Sequence, residues 1–308
     1  MPASEASCPA GISSFFEVCT TDSKGSPLND PAKIGARGGG FAIGPRVRAR
    51  VTARARSKTR IKIRISSDPT LEASTTRYAL ENLLKAAGEA MDVSAEIDVR
   101  VPIAAGYGTS AAGTAASCLA LTDAIQYPVT LNEIGKMTHI AEVVNRTGLG
   151  TATALLIGGF VLVTEPGAPG IGNVDRLIFP RDHRIICTHL GPVSTREVLS
   201  QTDIVSKVNP LARRAMEKIR RKPDLSTFLS EARRFSKDAG FQTTQISKII
   251  DCMISAGAVG AAQNMLGKAV HGVASSELAA RVVRKLRKDF PAAKTFSTRL
   301  EDTGVRLI

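Results

Sequence analysis

The stretch from Val99 to Gly113, VRVPIAAGYGTSAAG, constrains this chain more than any other. An alternating run with Ile97, Val99 and Val101 on one side reads as a strand, and it stops at Pro102, which has no backbone N–H to give a ladder. Gly106 and Gly108 allow the chain to turn through positive φ, and Thr109-Ser110 opens a helix built from small residues. Strand, glycine turn and helix start bring unpaired backbone N–H groups and the positive end of a helix to one point, which suits phosphate. The same pattern also serves as a plain structural turn. It contains neither the Gly-Lys-Ser/Thr of a Walker A loop nor G-x-G-x-x-G.

The 308 residues suffice for about two domains. Thr75 to Met91 carries Leu80, Leu83, Leu84 and Ala87 at helical spacing. Further helices are expected over Ser110–Ile125 and over Leu131–Asn145, the latter with Thr130 as N-cap and Glu133 completing a capping box. Strands are expected at Ile12–Thr20 and at Arg184–Leu190, a strand or a helix running into a strand over Ala152–Val163, two or three helices between Val193 and Ala256, and a basic helix from Ser276 to Lys288. Strands and helices in irregular order indicate an α+β fold. The interruption Glu165-Pro-Gly-Ala-Pro-Gly170 puts the expected boundary between domains 1–168 and 169–308. With no Trp and 4% aromatics, the core is expected to rest mainly on Ala, Val, Ile and Leu.

The net charge of +13 is concentrated in one place. Positions 46, 48, 50, 54, 56, 58, 60, 62 and 64 are all Arg or Lys, with no acid between them and apolar residues on alternate sites. Period two predicts strands with one wet face, turning near Ala53–Thr59 into a basic hairpin. A solvated sheet face accounts for this pattern. A nucleic-acid surface is disfavoured because no aromatics interleave the cations for base stacking.

Cys8, Cys19, Cys118, Cys187 and Cys252 are odd in number and form no CxxC pair, which argues against a disulfide framework or structural zinc and for a reducing cytoplasm. The first residues lack a basic region followed by an apolar run, and the longest mostly apolar stretch, Ala152–Val163, is too short for a membrane span of about 20 residues. Neither a signal peptide nor a membrane partner is expected.

The run Pro102-x-x-x-Gly106-Tyr107-Gly108-Thr109-Ser110-Ala111-Ala112 resembles the phosphate-loop motif P-x-x-x-G-L-G-S-S-A-A of the GHMP kinases. Ser7–Glu17 is similar to the N-terminal motif of that superfamily, and Ala256–Ser275 to its C-terminal Gly/Ala loop. Within the superfamily, Pro9…Phe15-Phe16-Glu17, Gly35-Ala-Arg-Gly-Gly-Gly40, His139-x-x-Glu142…Thr147-Gly-Leu-Gly150…Gly158-Gly159 and Asn264-Met-Leu-Gly267 resemble the archaeal pantoate kinases, which act on the route to coenzyme A.

The resemblance implies a two-domain fold with the nucleotide site between the domains, and ATP-dependent phosphorylation of a small alcohol, pantoate, with no nucleic-acid partner. It leaves the oligomeric state open, a homodimer included. It places ATP on Pro102, Gly106, Tyr107, Gly108, Thr109, Ser110 and Ala111, and Mg²⁺ on Ser110 and Glu142. It offers Arg37 as a carboxylate clamp and His139 as an acceptor contact. From the residues alone, Glu142 also reads as a helix-surface glutamate, His139 as a hydrogen-bonded core histidine and Arg37 as a loop cation.

Three positions depart from the pantoate kinase pattern. Thr151 stands where the family has the Asp expected as general base, Val163 where it commonly has an Arg for substrate, and Ala36 where it has Ser. Gly11 lies in the region of the mevalonate kinase lysine. The catalytic set implied is therefore Ser110 and Glu142, with Thr151 at the base position. Two outcomes follow: transfer without a dedicated base, or a changed acceptor or lost activity.

Overall fold

A computed structural model of the chain describes residues 2–191 and 204–308. It holds two sheets. The first is seven-stranded, with β1 (Ala3–Cys19), β2 (Gly35–Ala55), β3 (Arg60–Ile65), β4 (Met91–Asp98), β5 (Phe160–Glu165), β6 (Asn173–Leu177) and β11 (Arg306–Leu307). Its main path runs β11-β1-β2-β4-β3, while β5 pairs with the first half of β2 and β6 with β5. The second sheet runs β10 (Lys294–Thr298), β7 (His183–His189), β9 (Ala269–Ser275), β8 (Gly260–Gln263). β6 still belongs to the first sheet, and the chain returns to it at β11.

The basic segment does not form a hairpin. β3 leads through α1 (Ser74–Ala87) into β4, which lies parallel to β3 and inserts between it and β2. The turn 56–59 carries no residue that favours a tight hairpin, so the helical crossover decides the neighbour. Asp98, Glu96 and Asp92 of β4 stand in register with Arg48, Arg50 and Arg54 on one side, and Asp92 and Glu96 with Arg60 and Arg64 on the other. An acidic row between two basic rows is a cross-strand charge pattern, which accounts for the spacing without a partner. Arg46 is not on the wet face. It donates to Ser7 Oγ, to the backbone carbonyls of Ser7, Thr303 and Gly304, and pairs with Glu301 at 3.3 Å.

Two helices form the core beneath the first sheet. α2 (Thr109–Ala124) is buried on nearly every side, as an all-round apolar helix must be, and its small residues bring it close to β1 and β2. α3 (Leu131–Asn145) starts as the capping-box signature predicts: Thr130 Oγ1 accepts from the Glu133 N–H, and the Glu133 carboxylate accepts from the Thr130 N–H at 2.7 Å. Ala152–Val163 divides into α4 (Thr151–Ile157) and β5. The predicted helical region beginning at Val193 lies partly outside the described residues. Within it stand α5 (Ile204–Arg221), α6 (Leu225–Asp238) and α7 (Thr244–Ser255). α7 and α8 (Ser276–Asp289) pack one face of the second sheet through Ile246, Ile249, Ile250, Val282 and Leu286. No helix of the described residues is long and apolar enough to cross a membrane.

The scarce aromatics are not spread through this core. Phe41 and Phe160 stack at 4.6 Å, Phe228 of α6 meets Phe160 at 4.6 Å and Phe15 at 5.7 Å, and Phe235 extends the cluster to Phe16. Large rings thus fill the junction of β1, β2 and β5 with α6, while Ala, Val, Ile and Leu fill the rest.

The glycine cluster of residues 35–40 is the buried half of β2, not a loop. A Cβ at Gly40 would overlap the Ile12 carbonyl of β1, so the strands approach at backbone distance there. Gly40→Ala is expected to destabilise the protein by about 3 kcal/mol in urea unfolding. A loss under about 1 kcal/mol would show that the strands part freely.

Candidate functional site

A cavity of about 400 Å³ opens where the first sheet, the 103–110 loop and the β8–β9 turn converge. Its walls come from five stretches: Gly11–Phe16 of β1, Ala36–Ala42 of β2, the loop with the start of α2, Glu142 to Leu155, and Val161 and Val163 of β5. Met265 and Leu266 close it from the second sheet.

The loop is held from both sides. Gly11 N–H donates to the Tyr107 carbonyl at 2.9 Å, and Asn264 Nδ2 donates to the Gly106 carbonyl at 3.4 Å. Gly106 has φ +81°, and a Cβ there would meet Asn264 Cβ at 3.0 Å. Position 106 therefore needs glycine for both its backbone and its neighbour. Gly108 is the N-cap of α2 and supplies no side-chain cap, so the first N–H groups of this long helix face the cavity mouth unclaimed by a cap. Tyr107 contributes backbone only: its ring is 1% exposed and packs against Phe296 of β10.

Glu142 lies on the inward face of α3 and is 3% exposed, not a surface residue. Its carboxylate accepts a hydrogen bond from Thr147 Oγ1 at 3.5 Å, and the Ser110 hydroxyl lies close enough to favour its charged form. Burial pushes its carboxyl up to about 7, and those two hydroxyls pull the other way. Oε2 is buried with no hydrogen-bond partner. An orphaned carboxylate oxygen beside a hydroxyl, at a phosphate-type loop, fits a hard divalent cation that arrives with its own phosphate oxygens. Among the described residues no cluster of three or more His, Cys, Asp or Glu is present that could hold a metal unaided.

Arg37 lies in β2, directly across from Glu17 of β1, with Nε 3.1 Å from Glu17 Oε2. It lines the cavity. Thr151 also lines it, as the first residue of α4. His139 does not. It is 1% exposed and its Nε2–H donates to the Ile34 carbonyl at 2.7 Å, so one turn of α3 turns Glu142 into the cavity and buries His139 beneath the strand approach to Gly35. Burial keeps its imidazole below the ordinary histidine range, and neutral. Ala111 is fully buried, and neither it nor Pro102 lines the cavity.

Arg146 and Glu17 carry no role in the motif reading. Arg146 caps α3 in the left-handed conformation (φ 56°) and its exposed side chain borders the cavity; a cation just before Thr-Gly-Leu-Gly was the available signal. For Glu17 it was an acid at the end of a run with no other charge, Ala6–Phe16.

Residues 74–159, which supply the loop, Ser110, Glu142 and Thr151, match the GHMP kinases N terminal domain. The match covers that part of the chain. The chain is 33% identical over 182 residues to the pantoate kinase of Thermococcus kodakarensis, covering 58% of each chain. It is 29% identical over 177 residues to that of Methanocaldococcus jannaschii, covering 57% of this chain and 63% of the other. The match thus spans less than two thirds of either relative. With the pantoate kinase of Methanospirillum hungatei the identity is 27% over 253 residues, 79% of this chain and 78% of that one. The whole fold superposes on a phosphotransferase related to the CoA biosynthesis pathway with a TM-score of 0.87 at 24% identity, covering 99% of this chain and 98% of the other. It also superposes on a homoserine kinase from Cytophaga hutchinsonii with a TM-score of 0.77 at 17% identity, covering 100% and 98%. The fold is therefore the α+β fold of these kinases.

Proposed function

We propose that this chain is an ATP-dependent kinase that phosphorylates a small alcohol, with pantoate as acceptor, in the cytoplasm. One observation carries the reading: the buried Glu142 carboxylate, one oxygen of which has no partner, and the Ser110 hydroxyl stand side by side in the cavity, at the end of the Gly106–Ser110 turn. Three curated pantoate kinases among its relatives support the choice of acceptor.

Phosphoryl transfer needs phosphates positioned, charge neutralised and an acceptor hydroxyl held in line. The N–H groups of Gly108 to Ser110 cradle the phosphates in this reading, with Thr109 and Ser110 adding hydroxyl donors. Glu142 and Ser110 are the residues that would hold Mg²⁺, which supplies charge neutralisation on the phosphate oxygens. Arg37 takes an anionic group of the acceptor, because a guanidinium binds a carboxylate with two parallel hydrogen bonds. Thr151 leaves the acceptor without a carboxylate base. A loose transition state tolerates this, since the attacking oxygen has formed little bond to phosphorus there, has developed little positive charge and can lose its proton late.

Purified protein with ATP, Mg²⁺ and pantoate is expected to release ADP and phosphopantoate. ADP release only with another small alcohol would keep the kinase and change the acceptor. No ADP release with any alcohol would sink the reading. Arg37→Met is expected to raise the acceptor KM about 30-fold and leave the ATP KM unchanged, because it deletes a charged hydrogen bond to one substrate only. Equal effects on both KM values would remove Arg37 from the acceptor.

A further inference from the structure

β1 is buried along most of its length, and of its two carboxylates Glu5 is exposed while Glu17 is only 4% exposed. A buried carboxylate is costly unless it is paired. Glu17 is paired twice: Arg37 Nε stands 3.1 Å from Oε2, and Arg213 Nε donates to Oε1 at 2.7 Å. The two cations come from different places. Arg37 lies opposite Glu17 in the β1–β2 register and lines the cavity. Arg213 lies on α5, which grips the adjacent backbone one turn earlier. There Asn209 Oδ1 accepts from the Val18 N–H at 2.8 Å and Asn209 Nδ2 donates to the Val18 carbonyl at 2.9 Å.

No other ion-pair partner of Arg37 occurs among the described residues. Arg37 also feels the Cys19 thiol and the more distant Glu165, so Glu17 is its one ion-pair partner but not its only neighbour. Without Glu17, the Arg37 and Arg213 guanidiniums would lose the carboxylate between them, and Arg37 would lose its one ion pair.

We propose that Glu17 is a positioning residue: it aims Arg37 at the anionic group of the acceptor and ties that aim to the seating of α5 through Arg213. The acceptor it selects for is a small alcohol bearing a carboxylate or similar anion. The proposal rests on the kinase reading above for its effect on turnover, and on geometry alone for the hold on Arg37.

The test uses the full chain and Glu17→Gln, which keeps the shape and removes the charge. The acceptor KM, measured with pantoate, is expected to rise about 10-fold or more, with kcat and the ATP KM within about 3-fold of wild type. In an Arg37→Met background the same substitution is expected to add less than about 2-fold, because its effect runs through Arg37. An unchanged acceptor KM, or a full further loss in that background, overturns the proposal. Glu17→Asp, which keeps the charge on a shorter arm, is expected to fall between wild type and Glu17→Gln, and it replaces Glu17→Gln should the latter not fold.

The second readout needs no turnover. The Arg37 Nε–H resonance, assigned by its absence in Arg37→Met, is expected to report by nitrogen relaxation a guanidinium rigidity in wild type that is lost in the Glu17 variants. Retention of that rigidity in them overturns the proposal. Failure of wild type to phosphorylate pantoate or any other alcohol would instead overturn the kinase reading, with the Nε–H result still deciding whether Glu17 holds Arg37.

Discussion

Glu142→Gln is expected to lower kcat by about 10²–10³-fold while ATP binding and the fold persist. Glutamine fills the same volume and still accepts from Ser110 and Thr147, so the surroundings need not rearrange. What disappears is the negative charge on the buried pair of oxygens, one of which has no hydrogen-bond partner. The folded protein gains from the change. Burial holds the Glu142 carboxyl up at about 7 against an ordinary 4.5, so the native state keeps this proton more tightly than the unfolded chain. Stability is therefore undiminished below about pH 4.5 and falls as the pH rises towards 7, by up to about 3 kcal/mol. At pH 8 the variant escapes that cost and is expected to unfold at higher urea than wild type. A coupled ADP assay and a urea titration at pH 8 check both halves. A kcat within about 5-fold of wild type would remove Glu142 from the chemistry.

The second large effect concerns the junction behind the loop. His271 of β9 is fully buried, with Nδ1 2.9 Å from Asn264 Oδ1 and Nε2 2.9 Å from Ser14 Oγ. The Asn264 amide oxygen can only accept, so Nδ1–H donates to it and Nε2 accepts from the serine. The ring is thus neutral in the native state, and burial lowers its pKa from 6.5 to about 3. Between those values the unfolded chain binds a proton that the folded one refuses. Stability is then complete above about pH 6.5 and is lost as the pH falls towards 3, by roughly 3 kcal/mol on going from pH 7 to 4.5. His271→Gln is expected to be less stable at pH 7 through lost packing, yet to lose roughly 3 kcal/mol less over the same interval. Urea midpoints of both proteins at pH 7 and 4.5 measure the difference. Parallel losses would show that carboxylates, not His271, set the acid limit.

The residues differ in how far their order along the chain reveals their surroundings. The turn at Gly106–Ser110 was legible because glycine, proline and small-residue helix signals are local: each acts through its own backbone or a neighbour within a few positions. The α3 cap was legible for the same reason. The basic alternation was read correctly as strand and incorrectly as hairpin, since a strand's own period says which face is wet but not which strand lies beside it. That choice fell to the α1 crossover. Arg46 shared the alternation with its neighbours and was half-buried nonetheless, held by carbonyls some 250 residues away at Thr303 and Gly304.

At the site the same division holds. His139 and Glu142 share a helix face, and local spacing gave them equal standing as cavity residues. The packing of α3 turned one into the cavity and locked the other to the Ile34 carbonyl, a distinction that depends on where a distant strand approach passes. Glu17 shows the limit most plainly. Its partners lie 20 and 196 positions along the chain, one across a strand pair and one on a helix from beyond the second sheet's first strand. Short-range chemistry, meaning turn, cap, helix and strand face, is carried by adjacent residues and could be read directly. Which charge meets which, and which oxygen is left without a partner, depends on long-range burial, where pairing and desolvation are settled only once the elements have packed.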